Sequence, residues 1–208
     1  MILLKILSLL LSPLLLASEY TVKSVEILPL ESYPAKMTVE GITVAVDPYP
    51  DDEKSSTAFD VDNLNSRGFF PVHVIIKNES PYYLKIRTQT ILLETRLGER
   101  LYSTPAAMVI EDLIGKKYVD SMSSLRDGDR MSNKVTSRVS DFTTKELTNT
   151  LLEPGKVRSG FLFFFSEKHK RSFFIGSKIY IPSIKEEGTD RTFGPFEILL
   201  DPALDIPV

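Results

Sequence analysis

The chain has 208 residues and nearly balanced charge, with 25 Lys and Arg against 28 Asp and Glu and a formal net charge of −3. This balance argues against a nucleic-acid binder, which needs a basic face to neutralise phosphates. The chain has no cysteine, which excludes thiol catalysis, and its two histidines leave little room for histidine-centred catalysis.

The first residues have the layout of a secretory signal peptide. Lys5 precedes an apolar run over residues 6–16, which ends at the small pair Ala17 and Ser18. We predict that residues 1–18 are removed during export. The alternative is a retained anchor, but the run is far shorter than the roughly 20 residues that cross a bilayer. Because small eukaryotic extracellular domains usually carry disulfides, we predict a bacterial periplasm or cell envelope as the location.

The chain after the leader opens with two predicted strands. Residues 20–30 and 36–46 are rich in Val, Ile, Thr and Tyr and are separated by a polar break that contains Pro34. Residues 47–68 form a long polar connection. In this connection, the side chains expected to dock on a core are Phe59, Val61 and Leu64.

The segment over residues 68–92 has the clearest strand pattern. Val72, Val74 and Ile76 alternate with other side chains, and the alternation resumes from Leu84. Turn residues over 78–81 separate the two runs, which predicts two antiparallel strands joined by a short loop. A further turn is predicted at Gly98, followed by a short extended piece at residues 101–103.

Helical spacing replaces the strand pattern over residues 104–150. Apolar residues follow Pro105 at helical intervals until Gly115, and a second helical stripe runs from Val135 to Leu147. We predict a helical insertion at about 104–150, with a set of irregular strands as the alternative.

Strand character returns in the last quarter of the chain. Residues 160–165 are dense in phenylalanine, which is typical of a strand buried on both faces. Strands are also predicted over residues 172–181 and 192–200, with a charged loop at 185–191 between them. The seven or eight strands counted in this way predict a mainly β fold, an antiparallel β-sandwich occupying residues 19–208.

Two stretches carry a resemblance to a known class of domain. Residues 71–80 have the pattern Pro-Val-x-Val-x-Ile-x-Asn-x-Ser, and residues 152–165 have Leu-x-Pro-Gly followed by a glycine and an aromatic strand. These stretches resemble bacterial exported domains of the immunoglobulin-like class, and residues 41–49 look like the start of certain uncharacterised bacterial envelope proteins. The resemblance implies an immunoglobulin-like β-sandwich and transfers no functional residue.

Few residues suggest chemistry. His73 lies between two valines in a predicted strand. A sheet histidine that is hydrogen-bonded or exposed is a simpler interpretation than a general base. His169 lies in a basic turn and is predicted to be solvated. The acidic loop contains Asp60 and Asp62, yet Leu64 stands where an EF-hand needs an oxygen ligand, so a calcium site there would be irregular. We predict no enzyme activity and no cofactor.

Two surfaces are candidate contact regions. The helical stripe offers a partner surface at Met108, Ile110, Leu113 and Ile114, with packing over the sandwich as its alternative. The basic turn at Lys168, Lys170 and Arg171 offers contact with anionic headgroups, with a solubilising turn as its alternative.

These features together predict a non-enzymatic exported protein of the cell envelope that binds or assembles with another envelope protein. The alternatives are a module that binds calcium or a small ligand, and a protein that contacts a lipid surface.

Overall fold

The computed structural model describes residues 20–115, 133–167 and 171–204, and leaves the side chains of residues 133, 134 and 171 undescribed. The predicted leader, residues 1–18, therefore lies outside the described residues. Within these ranges the protein is mainly β, with twelve strands and three α-helices. The strands are β1 (Ala35–Val39), β2 (Ile42–Pro48), β3 (Phe69–Asn78), β4 (Leu84–Ile86), β5 (Leu92–Glu94), β6 (Arg100–Tyr102), β7 (Thr150–Leu152), β8 (Val157–Phe165), β9 (Lys178–Ile181), β10 (Ile184–Glu186), β11 (Thr192–Phe193) and β12 (Phe196–Leu199). The helices are α1 (Asp52–Ala58), α2 (Ala106–Ile114) and α3 (Asn133–Lys145).

The strands form three four-stranded antiparallel sheets. Sheet A has the order β1-β2-β3-β8, sheet B has β11-β10-β4-β7, and sheet C has β12-β9-β5-β6. The mainly β prediction is confirmed at this level. The immunoglobulin-like assignment stays a prediction.

Two cores lie on opposite faces of sheet A. The inner core joins side chains of sheet A, such as Val74 and Phe164, to side chains of sheets B and C, such as Leu84 and Ile179. The outer core joins the other face of β8 to the three helices and to Phe59. Strands β3 and β8 are therefore buried on both faces, as the aromatic run of β8 predicts.

The N-terminal prediction is wrong in two places. Residues 20–29 are not a strand, and their polar contacts go to several elements. Thr21 N donates to the Asp60 carboxylate at 2.8 Å, Lys23 Nζ to the Ser56 carbonyl at 2.7 Å, and the Tyr20 hydroxyl to the Asp141 carboxylate of α3 at 2.5 Å. Residues 36–46 are not one strand but belong to the hairpin β1–β2. The chain reverses at Glu40 and Gly41, whose φ angles are 47° and 80°, a conformation that glycine adopts without a steric penalty.

The predicted hairpin between β3 and β4 is also wrong, because these strands belong to different sheets. Asn78 forms a corner between them. Its side-chain amide donates to the carbonyls of Tyr82 and Leu152 at 2.7 and 3.2 Å, and its Oδ1 accepts from Ser80 N at 3.0 Å. A turn signal thus marks a change of sheet here.

The helical prediction for residues 104–150 is confirmed for the described part. Helix α2 ends at Gly115, whose φ is 87°, and α3 follows after a stretch outside the described residues. Strand β7 already begins at Thr150. Pro105 precedes the first residue of α2, where the missing N–H of proline costs no helical bond.

The C-terminal strands are shorter than predicted. Over residues 171–177 the chain turns, with Ile175 N bonded to the Ser172 carbonyl at 3.2 Å and Ser177 N to the Phe174 carbonyl at 3.0 Å, so β9 begins only at Lys178. Part of the predicted charged loop is the strand β10. Residues 192–200 form β11 and β12, separated by Gly194 and Pro195.

Candidate functional site

The outer face of β8 carries a row of phenylalanines that changes from buried to exposed. Phe161 and Phe163 are 1% and 0% exposed in the outer core, whereas Phe165, at the end of the strand, is 43% exposed. Its ring centroid lies 5.4 Å from that of Phe69 on the neighbouring strand. The backbone there is held by a bond from Ser166 N to the Gly68 carbonyl, so Phe165 is an exposed aromatic on a rigid strand.

Helix α2 provides the wall next to Phe165. A cavity of about 590 Å³ is lined by Phe69, Phe165, Met108, Thr104, Glu111 and Asp112. Met108 is 58% exposed, and the helix begins with Ala106 N bonded to the Glu146 carboxylate at 3.0 Å. This bond fixes the first turn of α2 beside β8.

Of the four residues predicted as a partner surface, only Met108 is exposed. Ile110 is 2% exposed and belongs to the outer core, so its side chain offers no accessible surface here. Leu113 and Ile114 are partly buried and pack against the same core. The helix places one apolar stripe on the domain and leaves Met108 beside that stripe.

A second cavity, of about 830 Å³, also has Phe165 in its lining. Its lining residues are Leu97, Leu101, Phe165, Phe173, Ile175, Arg96, Glu99, Glu167, Thr95, Ser166 and Ser172. Leu97 is 82% exposed at the tip of the β5–β6 hairpin, and Ile175 is 38% exposed. We call the two cavities together the Phe165 groove.

The predicted basic turn adjoins this groove in sequence. Lys168 and Lys170 lie outside the described residues, and so does the side chain of Arg171. Glu167 and Ser172, which flank the turn, both line the larger cavity. The proposed headgroup contact stays a prediction.

His73 has the environment of a core residue. It is 4% exposed, faces Asp47 across the β2–β3 ladder and stacks on Phe161 with the ring centroids 4.8 Å apart. Burial lowers the pKa of His73 to about 4, and the nearby Asp47 carboxylate offsets only part of this effect. His73 is therefore neutral near pH 7 and does not line the Phe165 groove.

Carboxylates of the acidic loop are engaged in hydrogen bonds and ion pairs within the protein. The Asp52 carboxylate accepts from Asn65 N at 2.6 Å, the Asp60 carboxylate accepts from Thr21 N, and Asp47 pairs with Lys54 at 2.5 Å. Among the described residues, no group of three His, Cys, Asp or Glu side chains is placed to hold a metal ion.

Sequence reasoning misses Phe165 and Leu97 as site residues. A signal was present for each. Leu97 is an apolar residue between Arg96 and Gly98 in a turn, and Phe165 is the last of an alternating phenylalanine row, where the cover over one face of a strand commonly ends.

No protein-family model matches the chain, and no curated protein matches it. The yjhA protein of Bacillus subtilis is 10% identical, with 72% of this chain and 80% of that chain covered and a TM-score of 0.38. A Bacillus subtilis protein described as a "putative lipoprotein (ycdA)" is 13% identical, with 83% of this chain but only 42% of that chain covered and a TM-score of 0.39. In the part of the chain that the structure describes, no helix has the length and apolar character needed to cross a membrane.

Proposed function

We propose that this chain is a non-enzymatic exported protein of the cell envelope that binds another envelope protein through the Phe165 groove. One observation carries the proposal: Met108, Phe165, Leu97 and Ile175 are all substantially exposed around two cavities that share Phe165. Exposed apolar side chains are ordinary when scattered, but a group of them around a concave surface is typical of an interaction site.

The scaffold supports binding because it holds these side chains without needing a partner. Phe165 pairs with Phe69 at the end of the β3–β8 ladder. Leu97 lies in a hairpin closed by bonds from Gly98 N to the Thr95 carbonyl and from Thr95 N to the Glu99 carbonyl, both 2.8 Å. A rigid apolar surface loses little conformational entropy on binding. We propose an immunoglobulin-like β-sandwich as this scaffold, supported by the inner core that joins all three sheets.

The environment of His73 favours a binding function for this protein over a catalytic one. This buried histidine has its pKa lowered and faces a phenylalanine ring, so it is unsuited to take a proton from a substrate in the groove.

Site-specific photo-crosslinking in cells tests the proposal. A photoreactive residue at position 108 should give a discrete adduct with one envelope protein, and the Met108→Asp variant should lose that partner because a carboxylate is not accommodated against Phe165. Leu199 is a matched control, since it is 56% exposed on β12 and lines neither cavity. An adduct of equal yield from position 199, or none from position 108, would contradict the proposal. Sequencing the N-terminus of the exported protein tests cleavage near Ala17 or Ser18.

A lipid surface is a second candidate, favoured by the exposure of Leu97 next to a cavity whose flanking residues lead into the basic turn. An apolar side chain beside basic residues is a common arrangement at membrane interfaces. Flotation with vesicles that contain phosphatidylglycerol tests it, and charge reversal at Lys168, Lys170 and Arg171 should abolish the binding.

Binding of calcium or a small ligand is the remaining alternative. A calcium titration followed by calorimetry tests its metal form, since a ligand that binds the folded chain raises the melting temperature. No heat and no change in melting temperature would remove it.

A further inference from the structure

The larger cavity of the Phe165 groove adjoins the outer edges of two strands. Strand β6 is the last strand of sheet C and pairs on one side only, with β5. Strand β8 is likewise the last strand of sheet A. Leu101 of β6 and Phe165 of β8 both line the larger cavity. A strand edge carries backbone donors and acceptors that its own sheet does not use.

The backbone groups of β6 alternate between the two sides of the strand. Thr95 N donates to the Glu99 carbonyl at 2.8 Å, so Glu99 faces β5, and the register places Leu101 in the same position two residues later. In an antiparallel ladder such residues alternate with residues whose N–H and C=O groups point away. The backbone N–H and C=O groups of Arg100 and Tyr102 therefore point away from β5.

The end of β8 presents backbone groups in the same way. Ser166 N donates to the Gly68 carbonyl at 2.9 Å, so the N–H and C=O groups of Phe165 point away from β3. Two residues earlier, the Phe163 carbonyl accepts from Thr104 N at 2.6 Å in an antiparallel bridge. Because Thr104 follows β6, the outer edges of β6 and β8 are turned toward each other at this bridge.

The two strands separate beyond the bridge. The register of the bridge would place Tyr102 opposite Phe165, yet β6 and β8 form no ladder there. Among the described residues, no hydrogen bond reaches the outward backbone groups of Arg100, Tyr102 or Phe165. Tyr102 is also 69% exposed. The edge of β6 thus offers accessible donors and acceptors next to an apolar cavity.

We infer that the partner segment is an extended strand that pairs with the outer edge of β6 and becomes the fifth strand of sheet C. The inference rests on the proposed function, namely that the groove binds protein. The main chain of the segment bonds the outward N–H and C=O groups of Arg100 and Tyr102, which supplies affinity. Alternate side chains of a strand point to one face, so an apolar side chain of the segment reaches the larger cavity beside Leu101 and Phe165.

A helical segment fits this edge less well. A helix forms its backbone hydrogen bonds within itself and has none to offer a neighbouring strand. It would cover the outward groups of Arg100 and Tyr102 without bonding them, and a covered backbone group without a partner is costly. The free edge therefore favours an extended partner segment over a helical one.

Proline at position 102 tests the inference. Proline removes the outward N–H of this position and leaves the bonds between Leu101 and β5 in place. Tyr102→Thr is the matched variant, because it loses the same ring but keeps the N–H. Each variant is combined with the photoreactive residue at position 108, and the yield of the adduct in cells is compared at equal expression. We expect Tyr102→Pro to lower this yield at least about tenfold, since a carbonyl of the partner is left unpaired, and Tyr102→Thr to lower it less than about twofold.

Circular dichroism and the melting temperature check that the proline variant folds. If it does not, Arg100→Pro and Arg100→Ala make the same comparison, because the N–H of Arg100 also points away from β5. Both of these variants lose the ion pair between Arg100 and Glu94, so the N–H is the difference between them.

The outcomes separate this inference from the proposed function. A loss of the adduct in the proline variant alone supports the added strand. If the adduct from position 108 forms and its yield is equal in the proline and threonine variants, strand pairing is wrong and the proposed function stands. If no adduct forms from position 108 in the otherwise unaltered chain, the proposed function fails and the inference fails with it.

Discussion

His73 lies in a position where burial disfavours protonation, and the nearby Asp47 carboxylate offsets only part of this effect. Its ring stacks on Phe161. Its pKa in the folded chain is about 4, below the ordinary value of 6.5. As the pH falls below about 6.5, the unfolded chain takes up a proton at His73 that the folded chain does not. The contribution of neutral His73 to the free energy of unfolding is therefore fully present above this pH and is lost as the pH falls from about 6.5 to 4. The loss should reach about 3 kcal/mol.

Urea unfolding at pH 7, 5.5 and 4 measures this effect. His73→Phe keeps a ring against Phe161 and should flatten the pH dependence over this range. His169→Gln, at the chain's other histidine, is the matched control and should keep the slope of the unaltered chain. An unchanged slope in His73→Phe would mean that other groups cause the acid sensitivity.

Asn78 is the second residue whose environment gives a prediction. It is fully buried, and its side chain makes four hydrogen bonds, to Tyr82, Leu152 and both N and Oγ of Ser80. Asn78→Ala should cost about 3 kcal/mol of unfolding free energy, because it leaves several buried groups without partners. Asn149→Ala is the control, since exposed Asn149 bonds only Thr88 among the contacts described, and should cost less than about 1 kcal/mol. Equal losses in the two variants would contradict the role assigned to the corner.

At the scale of elements, Gly160 sets how closely β8 approaches the chain that follows α3. A Cβ atom there would lie 2.6 Å from Leu147 N and 2.7 Å from Leu147 Cα, and both of these are backbone atoms. Gly160→Ala should therefore force the two segments apart, weaken the 2.9 Å bond from Leu147 N to the Phe161 carbonyl, and destabilise the fold by about 3 kcal/mol.

Thermal unfolding of Gly160→Ala beside Ser159→Ala checks this prediction. Ser159 is the preceding residue on the same strand, and its shortening adds no atom. Faster amide exchange at Leu147 in the glycine variant alone would locate the effect. A melting temperature equal to that of the serine variant would show that the backbone absorbs the added methyl group.

At the scale of the whole molecule, β8 links the two cores. Phe163 belongs to the outer core and Phe164 to the inner core, and both are 0% exposed. Because consecutive residues of one strand serve both cores, we expect the described fold to unfold in one cooperative transition. Phe163→Leu and Phe164→Leu should each lower the free energy of unfolding by about 1 to 2 kcal/mol.

Far-ultraviolet and near-ultraviolet circular dichroism should follow the same transition in both variants. A leucine in place of either phenylalanine keeps an apolar side chain, so both variants remain foldable. Separate transitions for the helical and strand signals would mean that the outer core unfolds independently of the sheets.

The Phe165 groove was predictable only in part. Met108 lies at an apolar position that the helical pattern marks, but the same pattern marks Ile110, which is buried. Periodicity shows that a stripe is apolar and not which of its edges another element covers. Phe165 and Leu97 lie in segments far apart along the chain, and only the packing of these segments brings the two side chains to one cavity.

The sequence by itself determined the mainly β class, the two-sided burial of β8 and the helices between β6 and β7, because these follow from local periodicity and from the residues that start and stop helices. Tertiary structure alone decided that β3 and β4 belong to different sheets, that residues 20–29 form no strand, and that Ile110 is covered. The physical reason is that strand pairing and burial depend on which distant segment supplies hydrogen bonds and apolar contacts. A period along the chain carries no record of that partner.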